Sequence, residues 1–190
     1  MHQTRTVALI ILLSMFWEAC ATPTSHPPFP ANVVKDVDSN FDFTTWREAP
    51  QAYVGRKVEV GGQILQAEIK DGGVLIVAEQ LPIVQRPVYG PSGTDKRPGA
   101  FDFAVFYPSL LNSSALTAGN RFVVVGTPQG TTEVTVKGAP KREPLIVAQC
   151  IHIWKTKGAE IADYPFEVDA GYVPLEQQTS CVSARGHPKQ

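Results

Sequence analysis

From residue 57 onward, apolar and polar positions alternate with the period of two that sets side chains on opposite faces of a strand. Lys57-Val58-Glu59-Val60 alternates, and Gln63 to Ile69 continues beyond Gly61-Gly62. Paired glycines inside a strand predict a bulge or a sharp bend. Asp71-Gly72-Gly73 reads as a hairpin turn, with Val74 to Glu79 as the returning strand. Ala100 to Tyr107 is the next strand, with Phe101, Phe103, Val105 and Tyr107 on one face. Pro108 stops it, and Ser109 to Ala118 predicts a short helix or turn closed by Gly119. Arg121 to Gly126 holds Phe122-Val123-Val124-Val125, apolar on both faces. Gly130 and Thr131 predict a turn into a weaker strand, Glu133 to Lys137. The last strong strand is Leu145 to Trp154. Its alternation sets Leu145, Val147, Gln149, Ile151 and Ile153 against Ile146, Ala148, Cys150, His152 and Trp154.

Five or six strands with one short helix before the fourth predict an all-β fold. The expected form is a small antiparallel barrel, OB-like, with irregular tails. A sandwich is the alternative. The 15 glycines and 16 prolines fit short strands with frequent turns. Beyond Trp154 the pattern decays, so residues 157–190 are expected to form a partly disordered C-terminal tail.

The N-terminus has a different pattern. Val7 to Trp17 is almost wholly apolar, broken only by Ser14. That run is about the length of a signal-peptide core and shorter than the roughly 20 residues of a membrane-spanning helix. Glu18 interrupts it and Ala19-Cys20 follows. A small residue before a cysteine at this point resembles a bacterial lipobox, in which the cysteine thiol is acylated and the leader is removed. Only Ala19 and Cys20 conform; Trp17 and Glu18 stand where Leu and a small residue are usual. A plain secretory signal with a cysteine nearby is the other reading. Ala21 to Asn32 is rich in Pro, Ser and Thr, the composition of a spacer. The organisation expected is therefore a signal at 1–19, a lipidated Cys20 with a flexible spacer to residue 40, a β domain at 41–156, and the tail.

Cys150 and Cys181 remain. In an oxidising compartment they could pair, tying the tail to the strand of Cys150. The alternative is a buried core thiol at Cys150 and a free Cys181 in the tail. The chain has no CxxC, so zinc or thioredoxin-like chemistry lacks support.

Charge changes the picture little. The formal net charge is −1 and charged residues make up 18% of the chain, so nucleic acid is not an expected partner. Motifs for phosphate loops, zinc proteases and nucleophile elbows are missing from the sequence. His152 is the one histidine in a strand, and it reads as a satisfied, partly buried residue. Asp36, Asp38, Asn40 and Asp42 alternate like a calcium loop, but Phe41 and Arg47 stand where such a loop needs Gly and Glu. A solvated acidic entry is the better reading. No catalytic residue, cofactor or metal is expected. Arg86, Lys96 and Arg97 flank one loop, and Lys137, Lys141 and Arg142 another. OB-type barrels bind ligands through strand faces and such loops. Arg86, Arg97, Phe101 and Phe103 are thus the candidate ligand-binding residues of a binding module for an oligosaccharide or other envelope component. Core aromatics and solvated charges are the plain alternative.

Four segments, taken in order, resemble the Slp family of bacterial outer-membrane lipoproteins, the starvation-inducible lipoprotein type. They are Tyr53-Val54-Gly55 with Val58 and Val60-Gly61-Gly62; Leu81-Pro82, Arg86-Pro87, Phe101 and Leu110-Leu111; Gly119 to Gly126; and Pro144 to Trp154. The resemblance implies a lipid-anchored protein of the outer membrane, held by acyl chains on Cys20, with a non-catalytic β domain facing the periplasm. It implies a structural or envelope-stress role. Ala21 after the cysteine resembles the outer-membrane sorting pattern, in which Asp at that place causes inner-membrane retention.

Overall fold

A computed structural model describes residues 28–83, 89–91, 102–136, 138–159 and 175–182, with the backbone of 166–167 and 171–172. The expected hairpin is present. Strand β1 (Val58–Lys70) turns through Asp71-Gly72 into β2 (Gly73–Gln80), with Lys70 opposite Gly73. Strand β3 (Asp102–Tyr107) pairs antiparallel with β2. The expected short helix or turn is a single 3₁₀ turn at Ser113–Leu116. Strand β4 (Arg121–Val136) and β5 (Ala139–Trp154) then form one long hairpin, sixteen residues in each arm. β6 (Phe166–Glu167) and β7 (Gly171–Tyr172) make a small separate pair, and β8 (Gln177–Cys181) ends the described chain.

β1 also pairs with β4, and β3 pairs with β5, so five strands close into a ring in the order β1-β2-β3-β5-β4. The fold is all-β, as the pattern predicts. The closing pair is parallel, with Ala104, Val105 and Phe106 opposite Leu145, Ile146 and Val147. The sheet is therefore mixed rather than purely antiparallel. Alternation cannot show this, because strand direction leaves no trace in a strand's own pattern.

The interior holds Val58, Val60 and Ile64 from β1, Ile76 and Ala78 from β2, Phe103 and Val105 from β3, and Phe122 and Val124 from β4. Helix α2 (Phe43–Glu48) closes one opening with Trp46, whose ring lies 6.2 Å from Phe103. Asp42 starts that helix by accepting the Thr45 N–H at 2.7 Å. The acidic run is thus partly a helix cap. Asp38 accepts from the Asn40 N–H and from Arg56, and these bonds hold its carboxyl below the usual range.

Three local expectations are corrected. The bulge in β1 falls between Ile64 and Gln66, not at Gly61-Gly62. The glycines serve close approach instead: a Cβ on Gly62 would lie 3.0 Å from the tip of Phe122 and 3.1 Å from that of Phe103. Gly130 and Thr131 make no turn; they lie in an irregularity within a continuous β4. In β5, Val125 faces Cys150 while Gly126 faces Ala148, so Gln149 is one residue too many. The phase flips there. Ile146, Ala148, Ile151 and Ile153 point inward, and Cys150 and Trp154 join an outer cluster.

That outer cluster explains why β4 is apolar on both faces. Val123 and Val125 lie under Phe29 and Val33, the latter in helix α1 (Ala31–Val34). The stretch expected as spacer is therefore packed from Phe29 onward. Each of these side chains stabilises the docked segment by about 1.5–3 kcal/mol relative to exposure. The expected tail likewise contributes β8, which extends the sheet beyond β5.

Candidate functional site

The described residues of the ring present two outer surfaces. The first is the face of β4, β5 and β8 on which the N-terminal segment lies. Lys57 Nζ donates to the carbonyls of Val33 and Lys35, at 3.3 and 3.1 Å, and the Asp38 N–H donates to Lys57 at 2.8 Å. The segment is stitched to the start of β1 at one end. At the other end the Pro28 carbonyl lies 3.5 Å from Thr179 Oγ1 on β8. Cys150 and Cys181 face each other across β5 and β8 and are joined in a disulfide, which fixes β8 at this edge.

His152 sits between these parts. Its ring packs edge-on against Trp154 at 4.2 Å and against Phe29 at 6.5 Å. Nε2 bonds Gln177 Oε1 at 3.1 Å and Nδ1 bonds Thr179 Oγ1 at 2.6 Å. An amide oxygen only accepts, so Nε2 carries the proton and Nδ1 accepts from the threonine hydroxyl. Burial holds the imidazole's pKa below its usual value, and the Gln177 bond opposes this in part. Both ring nitrogens are occupied, so the histidine is a structural joint between β5 and β8.

Its titration gives a signed prediction. Above the unfolded value of 6.5 both states hold a neutral ring, and stability is full. As pH falls below 6.5 the unfolded chain takes up the proton first, so stability declines until the lowered folded value is reached. Glu59 and Glu143, raised by burial, act in the opposite sense as pH falls toward the carboxylate range. The urea midpoint should therefore drop between about pH 7.5 and about pH 5.5, and a His152→Phe variant should flatten that drop. An equal slope in the variant would remove His152 as the cause.

The second surface is the outer face of β1, β2 and β3. OB-type rings seat ligands on this face, between the β1–β2 and β4–β5 loops. Here the far half of the β4–β5 hairpin folds over it, and Val134 and Val136 cover Val77 and Ala104. A cleft of about 140 Å³ remains, lined by Gln66, Glu68, Lys70, Leu75, Val77 and part of the covering arm. Among the described residues its lining carries no aromatic side chain. Drug-sized ligands occupy pockets of roughly 300–1,000 Å³. The charges nearby are paired and exposed: Lys70 with Glu68 at 2.6 Å, Lys141 with Asp102 at 3.1 Å, and Arg142 with Glu133 at 3.4 Å. Such pairs contribute about 0–1 kcal/mol each.

Of the four candidate ligand-binding residues, only Phe103 is among the described residues. Phe103 is fully buried in the ring, edge-on to Phe43 at 5.5 Å, where core packing uses its faces. Arg86, Arg97, Phe101 and the lipidation candidate Cys20 lie outside the described residues. Among the described residues no cluster of metal-ligating side chains occurs, and no helix is long and apolar enough to cross a membrane.

Sequence reasoning missed the junction around Gly119-Asn120. The buried Asn120 amide donates to the Ser114 and Ala115 carbonyls, at 3.2 and 3.0 Å, and its oxygen accepts from the Lys157 N–H at 2.9 Å. Its only sequence signal was a polar residue wedged between a glycine and an apolar strand.

These features define a class: a single all-β ring, clamped by a disulfide, with its N-terminal segment docked on its own outer face. The chain belongs to the outer membrane lipoprotein Slp family, whose model matches residues 18–179. The match begins just before Cys20 and ends within β8, so the family unit includes both the docked segment and most of the strand that holds it. Comparison with curated proteins and with solved structures yields no match.

Proposed function

We propose that the chain is acylated on Cys20 and displays its ring at the periplasmic side of the outer membrane, as a non-catalytic envelope module with a structural or starvation-stress role. The observation that carries this reading is the family match running through Cys20 into the ring. The apolar Val7 to Trp17 run ending at Ala19-Cys20 supports the anchor. A non-catalytic role is supported by His152, whose two nitrogens are both engaged in holding β8. The cleft among the described residues is small and has no aromatic side chain of theirs in its lining, which gives little support to an oligosaccharide binder.

A lipoprotein cysteine carries three acyl chains, and each buried methylene contributes about 0.8 kcal/mol, which makes such attachment effectively permanent. A Cys20→Ala variant should therefore lose palmitate incorporation and move from the membrane to the soluble fraction. Wild-type protein found wholly soluble in the periplasm would sink the anchor. A rise in protein amount on nutrient exhaustion is expected of the starvation role; a constant amount would remove that part alone.

A further inference from the structure

We infer that the outer face of β4, β5 and β8, with the segment docked on it, is the surface that meets the phospholipid headgroups, and that the cleft-bearing face points away from the bilayer. This rests on the proposed acylation of Cys20. The geometry is a comparison of two lengths. Pro28 is eight Cα steps from Cys20, and a chain of eight steps spans at most about 29 Å. A domain of this size is about 38 Å across. Within the ring, β4 neighbours only β1 and β5, so β2 and β3 lie across from it. The cleft lies between the outer face of the β1–β2 hairpin and the far arm of β4–β5, and its Leu75 and Val77 belong to β2, across the ring from the β4 stretch that carries the docked segment. With Phe29 buried against Val123, Val125 and Trp154, the leash that ends at Pro28 is too short to lay the far face of β2 on the membrane.

The docked segment sets the leash length. If Phe29 and Val33 left their sites, the free chain would run from Cys20 to Phe41, and its reach would grow to about 75 Å. All orientations would then be open.

The test uses the full lipidated protein in vesicles of phosphatidylethanolamine and phosphatidylglycerol. Asn32, exposed on the docked segment, and Glu68, exposed at the cleft, are replaced one at a time by a photoreactive amino acid. Lipid adducts are then quantified by mass spectrometry. Position 32 should give at least about tenfold more adduct than position 68, because the leash is shorter than the domain. A Phe29→Ser/Val33→Ser variant should bring the two yields toward parity. Equal yields without that variant, in protein whose intact mass confirms three acyl chains, would overturn the orientation and leave the anchor standing. An intact mass without acyl chains would overturn the anchor itself, and the orientation with it.

Discussion

A Gly119→Ala variant should lose about 4 kcal/mol of stability, most of what a marginal domain possesses. Gly119 has φ +89°, in the left-handed region that side chains rarely adopt. Strain of this kind costs about 1–3 kcal/mol. The added Cβ would also lie 2.4 Å from the Gly158 nitrogen and 2.7 Å from the Lys157 carbonyl carbon, both backbone atoms. Overpacking against atoms that cannot rotate away adds a further 1–3 kcal/mol or so. Relaxation is blocked on every side. The Gly119 N–H donates to Ile64 at 2.8 Å, while its carbonyl accepts from Gly158 N–H at 3.0 Å, Thr156 Oγ1 at 2.7 Å and Gln63 Nε2 at 3.2 Å. Gly138 supplies the contrast. Its φ is +81°, but a Cβ there meets nothing within 4 Å. Gly138→Ala should therefore show the strain alone, about 1 kcal/mol. Urea denaturation of the three proteins compares the two contributions. Equal losses at the two positions would show that strain acts alone and that the backbone near Gly158 yields.

Gly119 also marks what a sequence can disclose. It was legible as the end of a helical turn, and the turn is there. Its second role, receiving the chain at Gly158, depends on a contact between residues far apart, and nothing local announces it. The β1–β2 hairpin was legible for a local reason: Asp71-Gly72 and the alternation on either side specify turn and register together. The ring closure was expected from strand count and helix position, yet its parallel pair is set by how β5 returns past β3. His152 was placed on the same face as Ile146 and Ala148. One surplus residue, Gln149, moved it to the outside, since a single-residue slip exchanges faces. The docked segment was illegible because prolines dominate its composition. Two apolar residues, Phe29 and Val33, hold it, and they lie on a face that exists only once β4 and β5 have paired. Of the candidate site, Phe103 alone lies among the described residues. It was chosen for its strand position, and that position serves the interior as readily as a ligand.

Reduction of the Cys150–Cys181 bond should release β8 and the docked segment while leaving the ring folded. β8 buries little of itself; its residues alternate between exposed and half-exposed. Ordering five residues costs about 5–10 kcal/mol of backbone entropy. Ladder hydrogen bonds return about 0.5–1.5 kcal/mol each, which does not reliably cover that cost. The disulfide tips the balance, because closing a separation of 31 residues removes roughly 3–4 kcal/mol of unfolded-chain entropy. Without it, Thr179 and Gln177 leave His152, and the edge beside Pro28 goes with them. Hydrogen exchange under mild reduction should speed up at residues 177–181 and 29–37, with β1 to β4 still protected. The melting temperature should fall by about 6–16 °C, at 2–4 °C per kcal/mol for a domain of this size. A Cys150→Ala/Cys181→Ala variant should behave the same way without reductant, which separates loss of the bond from any other effect of the reducing agent. Unchanged protection across β8 in that variant would mean that side-chain packing, not the disulfide, holds the strand. The docked face of β4, β5 and β8 would then keep its form under reduction as well.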